Sequence, residues 1–115
     1  MEIKQWYFYL AYLNPQKGTL AGKVRPVLVI QSNSLNKNNH PSTIVLPLTS
    51  NVVKNAKLLR LNITHTNKNE LTEDSDIMID QIIAIDNKRF LKEIGKLENE
   101  YIPILKEYLL HVIGW

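Results

Sequence analysis

The run Val27-Leu28-Val29-Ile30 constrains this chain more than any other stretch. It is entered through Gly22-Lys23-Val24-Arg25-Pro26 and left through Gln31. Four successive apolar residues bounded by turn formers read as a strand that needs cover on both faces. Pro26 disfavours the helical region for the residue before it, so Arg25 is extended or in a turn. A guanidinium cannot follow the apolar run into a core without a partner, so it emerges where the strand begins. A planar, always-charged fork held at a strand entrance suits a phosphate or a carboxylate. A bridge to a surface acid is the commonplace alternative at such a position.

The strand needs companions, and the rest of the chain offers them. Gln5 to Leu13 is rich in aromatics (Trp6, Tyr7, Phe8, Tyr9, Tyr12) and has the composition of a first strand. The segment 14–22 carries Pro15, Gly18 and Gly22 and reads as a loop. A second strand runs from Val24 to about Gln31, and Ser32 to Ser42 is an asparagine-rich polar excursion. Thr43-Ile44-Val45-Leu46 is a third strand that Pro47 is expected to end or bulge. Leu59, Leu61 and Ile63 alternate with Arg60 and Asn62, which predicts a half-exposed strand. Thr64 to Thr72 is a polar connection, and Ile77 to Ile85 reads as one further strand. Asp86 is placed to cap a short helix bearing Phe90, Leu91 and Ile94 and stopping near Gly95. A last helix from about Asn99 to Val112 shows Ile102, Leu105, Leu109 and Val112 at helical spacing, with Pro103 in its first turn. Strands first and helices last predict a mainly β fold with terminal helices. The arrangement expected is a strongly bent antiparallel sheet or small open barrel with helices at its edge.

At 115 residues this is one domain, residues 1–115, with 44% apolar residues to fill its core. The absence of cysteine excludes disulfides, thiol catalysis and cysteine-ligated metals. Met1-Glu2-Ile3-Lys4-Gln5 lacks the pattern of a secretion signal, and no apolar run is long enough to span a bilayer. A cytoplasmic protein is expected. A formal charge of +3 permits a polyanionic partner, although scattered lysines equally well serve solubility.

His40, His65 and His111 sit in unrelated contexts without metal-site spacing, so no metal is expected. No phosphate-binding glycine loop and no Gly-x-Ser-x-Gly elbow occurs. What remains are polar residues at strand ends. Thr49 and Ser50 follow the third strand, and Asp80-Gln81 interrupts an apolar one, where a carboxylate needs a partner. Taken singly, a turn hydroxyl explains Thr49 and a structural ion pair explains Asp80.

Taken together and in order, these segments resemble a known family. Gly18, Gly22 and Val24-Arg25-Pro26-Val27-Leu28-Val29-Ile30-Gln31 precede Ile44-Val45-Leu46-Pro47-Leu48-Thr49-Ser50. Asp74-Ser75, Asp80-Gln81-Ile82, Ile85-Asp86-Asn87-Lys88-Arg89-Phe90-Leu91 and Ile94-Gly95-Lys96-Leu97 follow. From about Tyr9 through Leu97 the chain resembles the MazF/PemK toxin endoribonucleases of type II toxin–antitoxin systems. The resemblance implies a small SH3-like open barrel of antiparallel strands plus a C-terminal helix, a homodimer, and a cognate antitoxin as partner. It also implies cleavage of single-stranded RNA without metal or other cofactor, leaving 2′,3′-cyclic phosphate and 5′-hydroxyl ends.

By that resemblance Arg25 is the arginine that meets the phosphate, and Thr49 the hydroxyl that assists it. Asp80 falls where an acid acts in some members. Ser50, Gln81 and the loop Thr19, Leu20, Ala21, Gly22, Lys23 would contact RNA, and Tyr9 and Tyr12 are candidate stacking faces for bases, with core packing expected for at least one of them. The chain departs from the family at Trp6-Tyr7, where Gly-Asp is common, and at Leu20, where a glutamate is common. It also lacks arginines that other members carry at the positions of Met78 and Ile83. CcdB-like toxins, non-enzymatic gyrase poisons on the same fold, are the alternative. A terminal Trp115 would suit such a contact or pack onto its own dimer, whereas a gyrase binder has no need of the Arg25/Thr49 pair and a nuclease does. A decayed member that binds antitoxin or RNA without cutting is the third alternative.

Overall fold

The computed structural model describes residues 1–13, 24–54 and 59–115. Seven strands, all paired antiparallel, make up most of it: β1 (Tyr7–Tyr12), β2 (Val24–Val29), β3 (Ser42–Thr49), β4 (Arg60–Ile63), β5 (Ser75–Met78), β6 (Ile83–Asp86) and β7 (Phe90–Lys96). The four-residue helix α1 (Asn33–Asn36) lies between β2 and β3, and α2 (Ile102–Ile113) closes the chain. The sheet runs β4-β5-β3-β2-β1-β7, with β6 also paired to β3. This is the open antiparallel sheet with a terminal helix expected from the strand-rich sequence.

Alternation along the strands fills a core on each side of the sheet. Phe8, Leu28, Leu46, Leu48, Ile77 and Leu97 point to the side that α2 covers with Leu105. Tyr9, Ala11, Val27, Val29, Val45, Ile85 and Phe90 form the second core. The continuous Val27–Val29 burial is thus explained by cover on both faces. Tyr9 meets Phe90 edge to face, 5.3 Å between ring centroids, and its hydroxyl donates to Glu2 O at 2.9 Å and accepts from Lys4 N. Burial pushes the Tyr9 phenol up to about 12. Tyr9 is therefore a core residue and not a stacking face, whereas Tyr12, at the end of β1, stays exposed.

Three sequence expectations are corrected. Pro47 neither ends nor bulges β3, which continues to Thr49 with Pro47 opposite Val27. The Ile44 carbonyl and amide both face β2, so by alternation the nitrogen of Pro47 faces the other edge of β3. There the partner changes from β6, paired as far as Val45, to β5, paired from Leu48. Pro47 sits in the gap, and its missing donor costs no ladder bond.

The second correction concerns Ile77 to Ile85, which is not one strand. β5 and β6 both run along β3, but the register slips by three residues between them. A turn closed by Gln81 N to Met78 O at 3.2 Å takes up the slip. The polar pair Asp80-Gln81 is expelled into solvent instead of being buried in the ladder, so Asp80 needs no ion-pair partner.

Third, Phe90, Leu91 and Ile94 lie on β7, not on a helix. Asp86 does cap as expected, accepting from Lys88 N at 2.8 Å, but the capped element is a single 3-10 turn, Asn87–Arg89. Pairing with β1 then claims Phe90 onward, and Gly95 fixes the outcome. A Cβ on Gly95 would meet Asn69 O and lie 2.6 Å from Lys68 O, so only glycine lets the 64–72 connection pack on β7. That connection is ordered by Asn69, fully buried, which accepts from Thr66 N and Leu71 N and donates to Thr64 O and Glu98. In the helix, Pro103 occupies the first turn and Gly114 ends it in the left-handed conformation, φ 84°.

Candidate nucleic-acid interface

Arg25 is the second residue of β2 and half-buried. Its Nη1 donates to Leu48 O at 3.3 Å, which holds the guanidinium against β3. Among the described residues no carboxylate lies within 4.0 Å of it, so the commonplace surface bridge is not what holds this arginine. Arg25 lies on a rim between two clefts. One, about 600 Å³, is lined by Val24, Arg25, Thr49, Ser50, Glu73 and Ser75 among others. The second, about 450 Å³, is lined by Leu13, Arg25, Pro47, Met78, Asp80, Gln81, Ile82 and Ile83.

The geometry of β3 explains why these residues gather. Val27 pairs with Pro47 across β2 and β3, and continuing that register by two residues brings Arg25 opposite Thr49. Thr49 in turn pairs with Asp76 of β5. Thr49 Oγ1 accepts from Asn51 N at 3.2 Å, so one lone pair is used and the hydroxyl proton is free to donate. The turn hydroxyl and the cleft residue are the same group. Asp80 and Gln81, exposed in the turn between β5 and β6, reach the second cleft because the three-residue slip pushes them out beside it.

The structure thus brings Thr49 and Ser50 to one side of Arg25, and Asp80 and Gln81 to the other. Thr19, Leu20, Ala21, Gly22 and Lys23 lie outside the described residues. The positions Met78 and Ile83, noted above for lacking arginine, both line the second cleft, and among its described lining residues Arg25 is the one cation. Among the described residues no group of three or more His, Asp or Glu side chains gathers as a metal-binding set would, and no helix is long and apolar enough to cross a membrane. Tyr12 lies on a shallow surface with Asp86, Lys88, Arg89 and Leu91, adjacent in sequence to Leu13 of the second cleft.

Sequence reasoning missed Asp76. It is almost fully buried, and its carboxylate accepts from Val53 N at 2.9 Å and Asn62 Nδ2 at 3.2 Å. Arg60 Nη1 stands 3.5 Å from Asp76 Oδ2, without the alignment of a hydrogen bond. A signal was present: Asp76 is a carboxylate one residue before the apolar Ile77-Met78-Ile79 run, facing the alternating Arg60-Leu61-Asn62 segment. His65 and Asp74, half-exposed, pair at 2.6 Å, and the His65 backbone N–H also reaches Asp74 at 3.0 Å. That amide, then the imidazole, holds the Asp74 carboxyl below its usual range.

Comparison with known proteins gives a family and a fold. The family described as PemK-like, MazF-like toxin of type II toxin–antitoxin system matches residues 4–113. Endoribonuclease EndoA of Bacillus subtilis (strain 168) is 35% identical over 109 residues, covering 95% of this chain and 92% of that protein. The Mycobacterium tuberculosis toxin MazF-mt6 superposes with a TM-score of 0.76 at 20% identity, over 94% of this chain and 96% of that one. A MazE-MazF structure from Deinococcus radiodurans gives a TM-score of 0.76 at 16% identity, over 99% of this chain and 97% of that one. The last two likenesses speak for the fold.

Proposed function

Given that this chain belongs to the PemK-like, MazF-like toxins of type II toxin–antitoxin systems, we propose that it is an endoribonuclease that cuts single-stranded RNA in the clefts flanking Arg25. The observation that carries this reading is the guanidinium itself. It is fixed by Leu48 O, faces two clefts and, among the described residues, has no carboxylate partner to neutralise it.

In the proposed reaction the 2′-oxygen of a ribose attacks its own 3′-phosphorus. A bond from O2′ to phosphorus forms and the bond from phosphorus to O5′ breaks. The 2′-hydroxyl proton goes to a base, and the departing O5′ gains a proton. The products are a 2′,3′-cyclic phosphate and a 5′-hydroxyl. Arg25 binds the non-bridging oxygens, where charge grows in the transition state. The Thr49 hydroxyl donates a hydrogen bond to one of them, and Asp80 is the proton acceptor. Gln81 and Ser50 offer hydrogen-bonding groups to bases and sugar, and Thr19 to Lys23 are further RNA-contacting residues in this proposal. No metal or cofactor takes part. The 115 residues act as one domain in a cytoplasmic homodimer, and the partner is a cognate antitoxin. The Deinococcus relative solved with MazE supports that choice of partner.

The test is incubation of the purified protein with a long natural RNA in EDTA beside Arg25→Ala, with the new ends mapped. Discrete cuts with cyclic-phosphate ends are expected, and Arg25→Ala should slow them about a hundred- to thousandfold. Intact RNA from the folded wild type would refute the nuclease. Loss of cutting in EDTA would refute the metal-free mechanism.

A further inference from the structure

Three consecutive amides just beyond Thr49 are individually satisfied. Asn51 N donates to Thr49 Oγ1 at 3.2 Å, Val52 N to Ser50 O at 3.1 Å, and Val53 N to Asp76 Oδ2 at 2.9 Å. The first two bonds are local to the segment. The third reaches across 23 residues and is its tie to the sheet. From this we infer that Asp76 is a positioning residue. Its carboxylate pins the segment 50–53 against β5 and thereby sets Ser50 and, through the Asn51 amide, the Thr49 hydroxyl beside Arg25.

Several features favour this role over simple stabilisation. Asp76 is the register partner of Thr49, so the two residues stand side by side on adjacent strands. On the far side of Asp76 is Asn62, also in register, whose amide donates to the other carboxylate oxygen. Arg25, Thr49, Asp76 and Asn62 therefore form one row across β2, β3, β5 and β4. Leu61, Ile63 and Ile77 of β4 and β5 face the core, so Asp76 and Arg60 stand on the opposite face. Asp76 is nonetheless 1% exposed. A buried carboxylate paired with a partly exposed Arg60 on the outer face of a sheet is a poor source of stability, because desolvation opposes the attraction. Its geometric effect is to fix the turn beyond Thr49, whose other hydrogen bonds among the described residues are local to the segment. Val52 and Val53 are themselves exposed, so apolar packing does not replace the tie. Asp76 touches neither cleft, which separates it from the groups proposed to meet the phosphate.

The kinetic part of this inference rests on the nuclease reading above, so the experiment pairs it with a readout that does not. Wild type is compared with Asp76→Asn and with the double variant Asp76→Val/Arg60→Met, which removes both charges of the pair together and avoids stranding Arg60. Amide hydrogen exchange is followed at Val53, Leu46 and Ile77. Steady-state cleavage is measured on an RNA that carries the mapped cut site. The expected result is exchange at Val53 faster by about tenfold or more, with Leu46 and Ile77 unchanged. In parallel kcat should fall about tenfold or more, with KM within about threefold, because misplacement lowers the rate without removing binding groups. Unchanged exchange at Val53 in a folded variant overturns the inference. So does faster exchange with kcat retained, and so does failure of both variants to fold, which would make the cluster a stability element. If the wild type cuts no RNA, the nuclease reading falls by itself, and exchange at Val53 alone decides whether Asp76 holds the turn.

Discussion

At the residue scale the two groups proposed to meet the scissile phosphate differ in kind, and that difference is measurable. Arg25 carries a full charge in a fixed fork, whereas Thr49 brings one neutral hydroxyl. Neutral hydrogen bonds contribute about 0.5–1.5 kcal/mol net, so Thr49→Ala should lower kcat/KM by about tenfold, well short of Arg25→Ala. Arg25→Lys should recover little, since an ammonium cannot reproduce the planar two-pronged contact. Equal losses in Thr49→Ala and Arg25→Ala would contradict this division of labour. The places of both residues at strand ends were legible because each stands beside a strand signal, Pro26 after Arg25 and the apolar run before Thr49. Asp76 was not, because its partners Val53, Asn62 and Arg60 are assembled only by the pairing of β4, β5 and the turn after β3.

Elements show where local pattern reasoning reaches its limit. Strands β1 to β4 and helix α2 declare themselves through aromatic content, apolar runs or helical spacing. Phe90, Leu91 and Ile94 satisfy a helical period equally well, and only β1, more than seventy residues earlier, decides for a strand. The split between β5 and β6 is similar: nothing local announces a three-residue slip, although the polar pair Asp80-Gln81 marks its place. Gly95→Ala tests the strand directly. A methyl group there meets the Asn69 and Lys68 backbone, so the variant should lose about 1–3 kcal/mol in chemical denaturation. A neutral result would mean that the 64–72 connection can retreat from β7 at no cost.

For the whole molecule, stability should carry a modest acid dependence from the His65–Asp74 pair. The folded Asp74 carboxyl titrates below its unfolded range, near 3.9. Its contribution is therefore complete above that range and is lost as pH falls through the lower folded value. Asp74→Asn should lower the Tm at pH 6, and the gap from wild type should close as pH approaches 2. A gap independent of pH would remove the pair from the account. The fold class itself was readable from the order of strands and helix. The clefts were not, since each is walled by segments from four or more separate strands and turns.

Pro47 has one more consequence. Where β3 passes from β6 to β5, an ordinary residue would present a free amide at the gap, and sheet edges with free donors invite foreign strands to join. Proline offers no donor there. A peptide entering beside Arg25 therefore meets the Pro47 carbonyl but no donor, half of what an added strand pairs with at this point. The second cleft thus lies beside a stretch of β3 that is a poor edge for strand addition.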